Sequence, residues 1–162
     1  MKKLLLVAWL LLATSTLSAQ SPLPKGLTVN GVALDAKYAE LTWKLGKPTR
    51  VTTTPRIDEC IGARIRTVTY SGLKIEMVEG DTKGDFHVFS FEITSAKWDV
   101  SGVKIGDPSV KVQKLFGIRG RRVEKTPTLG WFYDMTDESP GSSNFFFRDG
   151  KVYKISTTYE MC

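Results

Sequence analysis

The chemistry this chain can do begins with its two cysteines, Cys60 and the terminal Cys162. In an oxidising compartment such a pair persists as a disulfide. A Cys60–Cys162 bridge would close a loop of about 100 residues and contribute on the order of 4 kcal/mol in the chain-entropy picture. A redox or metal site is the competing use, but CxxC spacing and a second histidine are absent. The single histidine, His87, lies in a strand-like Phe86-His-Val-Phe run, and no local motif supplies a serine or cysteine for it to activate. Carboxylates cluster at Asp58-Glu59, at Asp81 and Asp85, and at Asp134, Asp137 and Glu138, without the regular ligand spacing of an EF-hand. There is also no HExxH, G-x-S-x-G, P-loop or dinucleotide fingerprint. The expectation is a protein without catalytic residues, metal or cofactor.

Recognition chemistry is better represented. Lys111, Lys114, Arg119, Arg121, Arg122 and Lys125 form a basic stretch around the end of a helix, where cations also suit the helix dipole. Trp131-Phe-Tyr133 precedes a loop containing Pro140-Gly-Ser-Ser143, and Phe145-Phe-Phe147 follows it. Aromatic and arginine side chains are those enriched at binding hot spots. The expected partner-binding set is therefore Trp131, Tyr133, Phe145 and Phe147, with Arg119, Arg121 and Arg122 steering an acidic partner.

Residues 1–19 have a basic start at Lys2-Lys3, an apolar run over residues 4–13 and small or hydroxylated residues to Ala19, the layout of a secretory signal peptide. Cleavage is expected after Ser18 or Ala19. No apolar stretch approaches the roughly 20 residues of a membrane-spanning helix, and no cysteine stands at the first mature position to carry a lipid. The expected location is periplasmic or secreted. Removing Lys2 and Lys3 lowers the net charge from +6 to +4, too mild to point to nucleic acid. The remaining chain is long enough to bury a core.

The elements that must position these residues come twice. Gly31-Val-Ala-Leu-Asp through Leu45-Gly46 lines up with Gly102-Val-Lys-Ile-Gly-Asp through Phe116-Gly117, about 71 residues later. A first helix is expected over residues 36–45, capped by Asp35, with Tyr38, Leu41 and Leu45 inward and Gly46 at its end. A second is expected after Asp107 as N-cap and Pro108 at its first position, with Val112, Leu115 and Phe116 inward. Strands are expected at residues 50–54, 64–70, 73–78 and 87–94, then at 121–126, 130–134, 144–148 and 151–158. Ser71-Gly72 and Asp149-Gly150 are the hairpin turns. Val68, Tyr70, Leu73, Ile75 and Met77 then share a core face, with Thr67, Thr69, Lys74 and Glu76 opposite. Aligning Phe89, Phe91 and Ile93 with Tyr153, Ile155 and Thr157 points Tyr153, Ile155 and Phe146 inward and Phe145, Phe147 and Val152 outward, as an exposed aromatic patch.

Ile105-Gly-Asp-Pro-Ser-Val-Lys-Val-Gln-Lys-Leu-Phe-Gly117, Trp131-Phe-Tyr133 and Phe147-Arg-Asp-Gly-Lys-Val152 resemble the repeat unit of the bacterial β-lactamase inhibitor protein family and of the small outer-membrane assembly lipoproteins. Leu34-Asp35 to Leu45-Gly-Lys-Pro48 is the second copy. The resemblance implies an α+β fold of two tandem helix-plus-antiparallel-sheet repeats, each sheet covered on one face by a helix and offering the other to a protein. The corresponding division is a signal peptide (1–19), an extended leader (20–26), repeat 1 (27–100) and repeat 2 (101–162), in one globular body.

The function expected from these readings is a protein-binding module that docks an aromatic sheet face onto another exported or envelope protein, as an inhibitor or immunity-type protein would. Two alternatives remain at this point. One is a structural or assembly factor of the cell envelope, touching its surface peripherally through the basic face. The other is a cell-wall hydrolase using Asp134, Asp137 or Glu138.

Overall fold

The computed structural model describes residues 27–116 and 141–159. They form an α+β structure in the order β1 (Thr28–Val29), β2 (Val32–Ala33), α1 (Tyr38–Leu45), β3 (Arg50–Thr53), β4 (Ile65–Tyr70), β5 (Leu73–Glu79), β6 (Phe86–Ile93), α2 (Ser109–Phe116), β7 (Gly141–Arg148) and β8 (Lys151–Tyr159). β1 and β2 make a two-stranded sheet, while the other six join antiparallel in the order β3-β4-β5-β6-β8-β7. The expected strands at residues 121–126 and 130–134 lie outside the described residues.

Local chemistry explains the hairpins. Gly72 turns β4 into β5 with φ +69°, and a Cβ there would stand 2.2 Å from the Ser95 Cβ, so only glycine fits. Asp149 and Gly150 both have positive φ (50° and 72°), the two-residue turn whose twist matches the strands it joins.

Both helices begin later than their carboxylates suggested. Lys37 occupies the N-cap of α1 without a side-chain cap, and Asp35 stands before it with φ +70°. Asp107 likewise precedes α2, with its Oδ2 accepting from the Lys104 backbone N–H (2.7 Å) and from Lys111 Nζ (2.7 Å). Burial pushes the Asp107 carboxyl up, but these two hydrogen bonds more than offset that and leave it below the ordinary aspartate value. The carboxylates thus order the approach to each helix instead of capping it.

Each approach is stitched to a strand in the same way. Asp35 N donates to Val88 O (2.6 Å) and Val88 N to Ala36 O (2.9 Å); Gly106 N donates to Val152 O (2.7 Å) and Val152 N to Asp107 O (2.8 Å). Asn30 and Ser101 share φ 47°, each followed by a positive-φ glycine, Gly31 and Gly102.

One core lies between the helices and the sheet. Leu41 of α1 and Val112 and Phe116 of α2 are buried with Val68, Ile75, Phe91, Ile93 and Ile155 of the strands, and Tyr38 and Leu45 pack against them. The core face expected for β4 and β5 is present: Val68, Tyr70, Leu73, Ile75 and Met77 are all buried, and Lys74 opposite is exposed. Leu115, expected inward, is 44% exposed. Its neighbours Val112 and Phe116 already fill the inward sector of an eight-residue helix.

The larger correction concerns the second hairpin. Phe145 (0% exposed), Phe147 (6%) and Val152 (1%) are core, whereas Phe146 and Tyr153 are half-buried. The cause is a β-bulge. Phe147 pairs with Val152 but Phe146 pairs with Lys154, so Tyr153 is an extra residue in β8. One inserted residue reverses the alternation beyond it, so Val152 and Ile155 face the same side although three residues apart. A matching irregularity sits between β5 and β6, where Met77 pairs with Val88 and Glu76 with Ser90, leaving Phe89 as the extra residue.

Candidate protein-docking surface

Because both helices cover the same side of the sheet, the opposite side carries every second residue of the strands. Toward β4 and β5 it is polar, with Thr67, Thr69, Lys74 and Glu76, the last two ion-paired at 2.7 Å. Ser90 and Glu92 continue it on β6. On β7 and β8 the character changes. Phe146 and Tyr153 lie with ring centroids 6.2 Å apart at 56°, the Arg148 guanidinium sits 4.7 Å from the Tyr153 ring centre, and Lys154 Nζ sits 5.4 Å from that of Phe146. Lys154 Nζ also reaches Glu92 Oε2 across the β6–β8 seam at 2.8 Å.

This arrangement gives two partly exposed aromatic rings, each engaged by a cation. It can bury aromatic area against a partner while exchanging ion pairs. Sequence reasoning missed Phe146, Tyr153, Arg148 and Lys154 as a surface group because it read β8 without its bulge.

The sequence-predicted residues are dispersed. Phe145 stacks on Phe116 at 5.3 Å and 25° inside the core, so neither it nor Phe147 presents its ring to a partner. Trp131, Tyr133, Arg119, Arg121, Arg122 and Cys162 lie outside the described residues, as do Lys125, Asp134, Asp137 and Glu138. Of the basic stretch, Lys111 is paired with Asp107 and Lys114 is exposed. Among the described residues no cysteine is free and no three His, Cys, Asp or Glu side chains are grouped to hold a metal ion. No described helix is long and apolar enough to cross a membrane.

His87 is placed by β6 beside the start of α1. Its Nε2 lies 3.1 Å from Asp85 Oδ2 and its Nδ1 3.2 Å from both Asp35 O and Asp35 Oδ1, while Lys37 Nζ reaches the same Asp85 oxygen at 2.9 Å. Hydrogen bonding to Asp85 outweighs desolvation and raises the His87 pKa above its usual value. The same contact, with that of Lys37, holds Asp85 low. No described serine, threonine or cysteine side chain hydrogen-bonds His87, so the group acts as a tie between the α1 approach and β6. Asp58 is spent on a turn, its Oδ1 accepting from the Cys60 (3.1 Å) and Ile61 (3.0 Å) N–H groups.

No protein-family model, curated protein or solved structure matches the chain.

Proposed function

We propose that this chain is an exported protein-docking module that engages another exported or envelope protein through the side of its sheet opposite the two helices. The observation that carries this reading is the half-exposed Phe146–Tyr153 pair flanked by Arg148 and Lys154 on that side. A sheet side with isolated threonines and paired charges would be ordinary solvated surface, but clustered aromatic rings with arginine and lysine suit a hot spot. Trp131 and Tyr133, with Arg119, Arg121 and Arg122, belong to the same proposal on sequence grounds.

The tandem-repeat architecture and its resemblance to the β-lactamase inhibitor and assembly-lipoprotein repeats are part of the reading. They are supported by α1 and α2 having equal length at matching positions, by the shared φ at Asn30 and Ser101, by the parallel stitching to Val88 and Val152, and by bulges at Phe89 and Tyr153. Export through residues 1–19 and a Cys60–Cys162 disulfide complete it.

The test is site-specific photocrosslinking in the native host with the crosslinking amino acid at position 146, or at position 110 on the outer side of α2. A single discrete adduct from position 146 and none from 110 is the expected result. Adducts from 110 alone would place the interface on the helix side and defeat the proposal.

A further inference from the structure

Among the described residues β3 is one of the two outer strands of the six-stranded sheet, β7 being the other, and all four of its residues are exposed. The strand register says which backbone groups are left over. Thr54 N donates to Ile65 O at 2.8 Å, so residues of its parity face β4. Val51 and Thr53 therefore turn their N–H and C=O groups outward. Val51 is also an apolar side chain left 40% exposed, on the same face as its partner Val68.

Edges of this kind are usually blunted by brevity, proline and charge. β3 has all three, being four residues long between Pro48 and Pro55. From residue 47 to 56, ahead of the Asp58-Glu59 pair, the charges have a single sign, however. Lys47, Arg50 and Arg56 are exposed, and their side chains form no ion pair or hydrogen bond among the described residues. A second copy of the chain pairing edge to edge would set these three cations against its own, so the charge repels self-association. An acidic strand meets no such penalty.

We infer that the β3 edge accepts an extended acidic segment of the partner protein by strand addition. Main-chain hydrogen bonds to Val51 and Thr53 would supply affinity, and carboxylates opposite Arg50 and flanking Lys47 and Arg56 would supply selectivity. A small apolar residue of the segment covers Val51. The inference rests on the docking reading for the partner being a polypeptide, but uses a surface separate from Phe146.

The test uses mature, disulfide-intact protein and fluorescein-labelled eight-residue peptides: one repeating Glu-Val-Glu-Thr, the same peptide N-methylated at alternate residues, and a version with Lys for Glu. Anisotropy is expected to rise only with the unmodified acidic peptide, with amide NMR shifts centred on Val51 and Thr53. Arg50→Glu should weaken binding about tenfold or more, and Phe146→Ala should leave it unchanged. Val51→Pro removes one outward donor and should also abolish binding. If that variant fails to fold, the N-methylated peptide tests the same hydrogen bonds from the other side. Equal binding of the N-methylated peptide, or indifference to Arg50→Glu, would overturn the inference. So would failure of the acidic peptide to bind, a result that leaves the position-146 crosslink untouched.

Discussion

Phe145 and Phe146 are adjacent and chemically identical, yet the fold assigns them opposite roles. Phe145 is fully buried against Phe116, so Phe145→Ala should cost about 3–5 kcal/mol in denaturant-induced unfolding. Phe146→Ala, half-buried on the side opposite the helices, should stay within about 1 kcal/mol of the parent. The reverse order would mean that the sheet presents its other side. Titrating residues give a second check. Glu79 is held down at about 2 by its hydrogen bonds from Arg64 and then from the Gly84 N–H. A depressed carboxylate stabilises the fold above its unfolded value near 4.5 and loses that contribution as pH falls toward about 2. Glu79→Gln should therefore flatten the acid limb of stability against pH. His87 has the opposite sign: its raised pKa means its contribution is complete below the unfolded value of 6.5 and fades as pH rises through the higher folded one. Unfolding midpoints of the parent should show that alkaline fade, and His87→Asn should not.

At the scale of elements, periodicity and turn chemistry were readable because they act locally. Tyr38, Leu41 and Leu45 recur at helical spacing, and Ser71-Gly72 and Asp149-Gly150 sit between alternating runs, so α1 and both hairpins could be placed from the sequence. Gly72→Ala should destabilise by roughly 1–3 kcal/mol, since it combines a left-handed φ with a clash against Ser95. The bulges were not readable. Nothing in Lys151-Val-Tyr-Lys-Ile155 marks Tyr153 as an extra residue; that follows only from pairing with β7, a tertiary choice that lets both Val152 and Ile155 be buried. The candidate surface was misread for the same reason, by one residue along β7. The aspartates before the helices show a further limit: a capping residue type and a nearby helix start were legible, but not that each carboxylate would be committed to the preceding turn or to His87.

At the scale of the whole molecule, among the described residues, both helices lie on one side of the sheet and no element lies on the other, to which the second hairpin brings aromatic and basic residues. An interface centred on aromatic area should persist at moderate salt, because screening weakens exposed charge pairs far more than it weakens apolar burial. The most direct measurement is quantitative capture from an envelope extract by the mature protein and by a Phe146→Ala/Arg148→Glu variant, at about 0.15 M and about 0.5 M salt, with unfolding of both proteins followed in parallel. The docking account predicts one protein retained in near-equal amount by the parent at both salts and lost from an equally stable variant. Equal retention by parent and variant would contradict it.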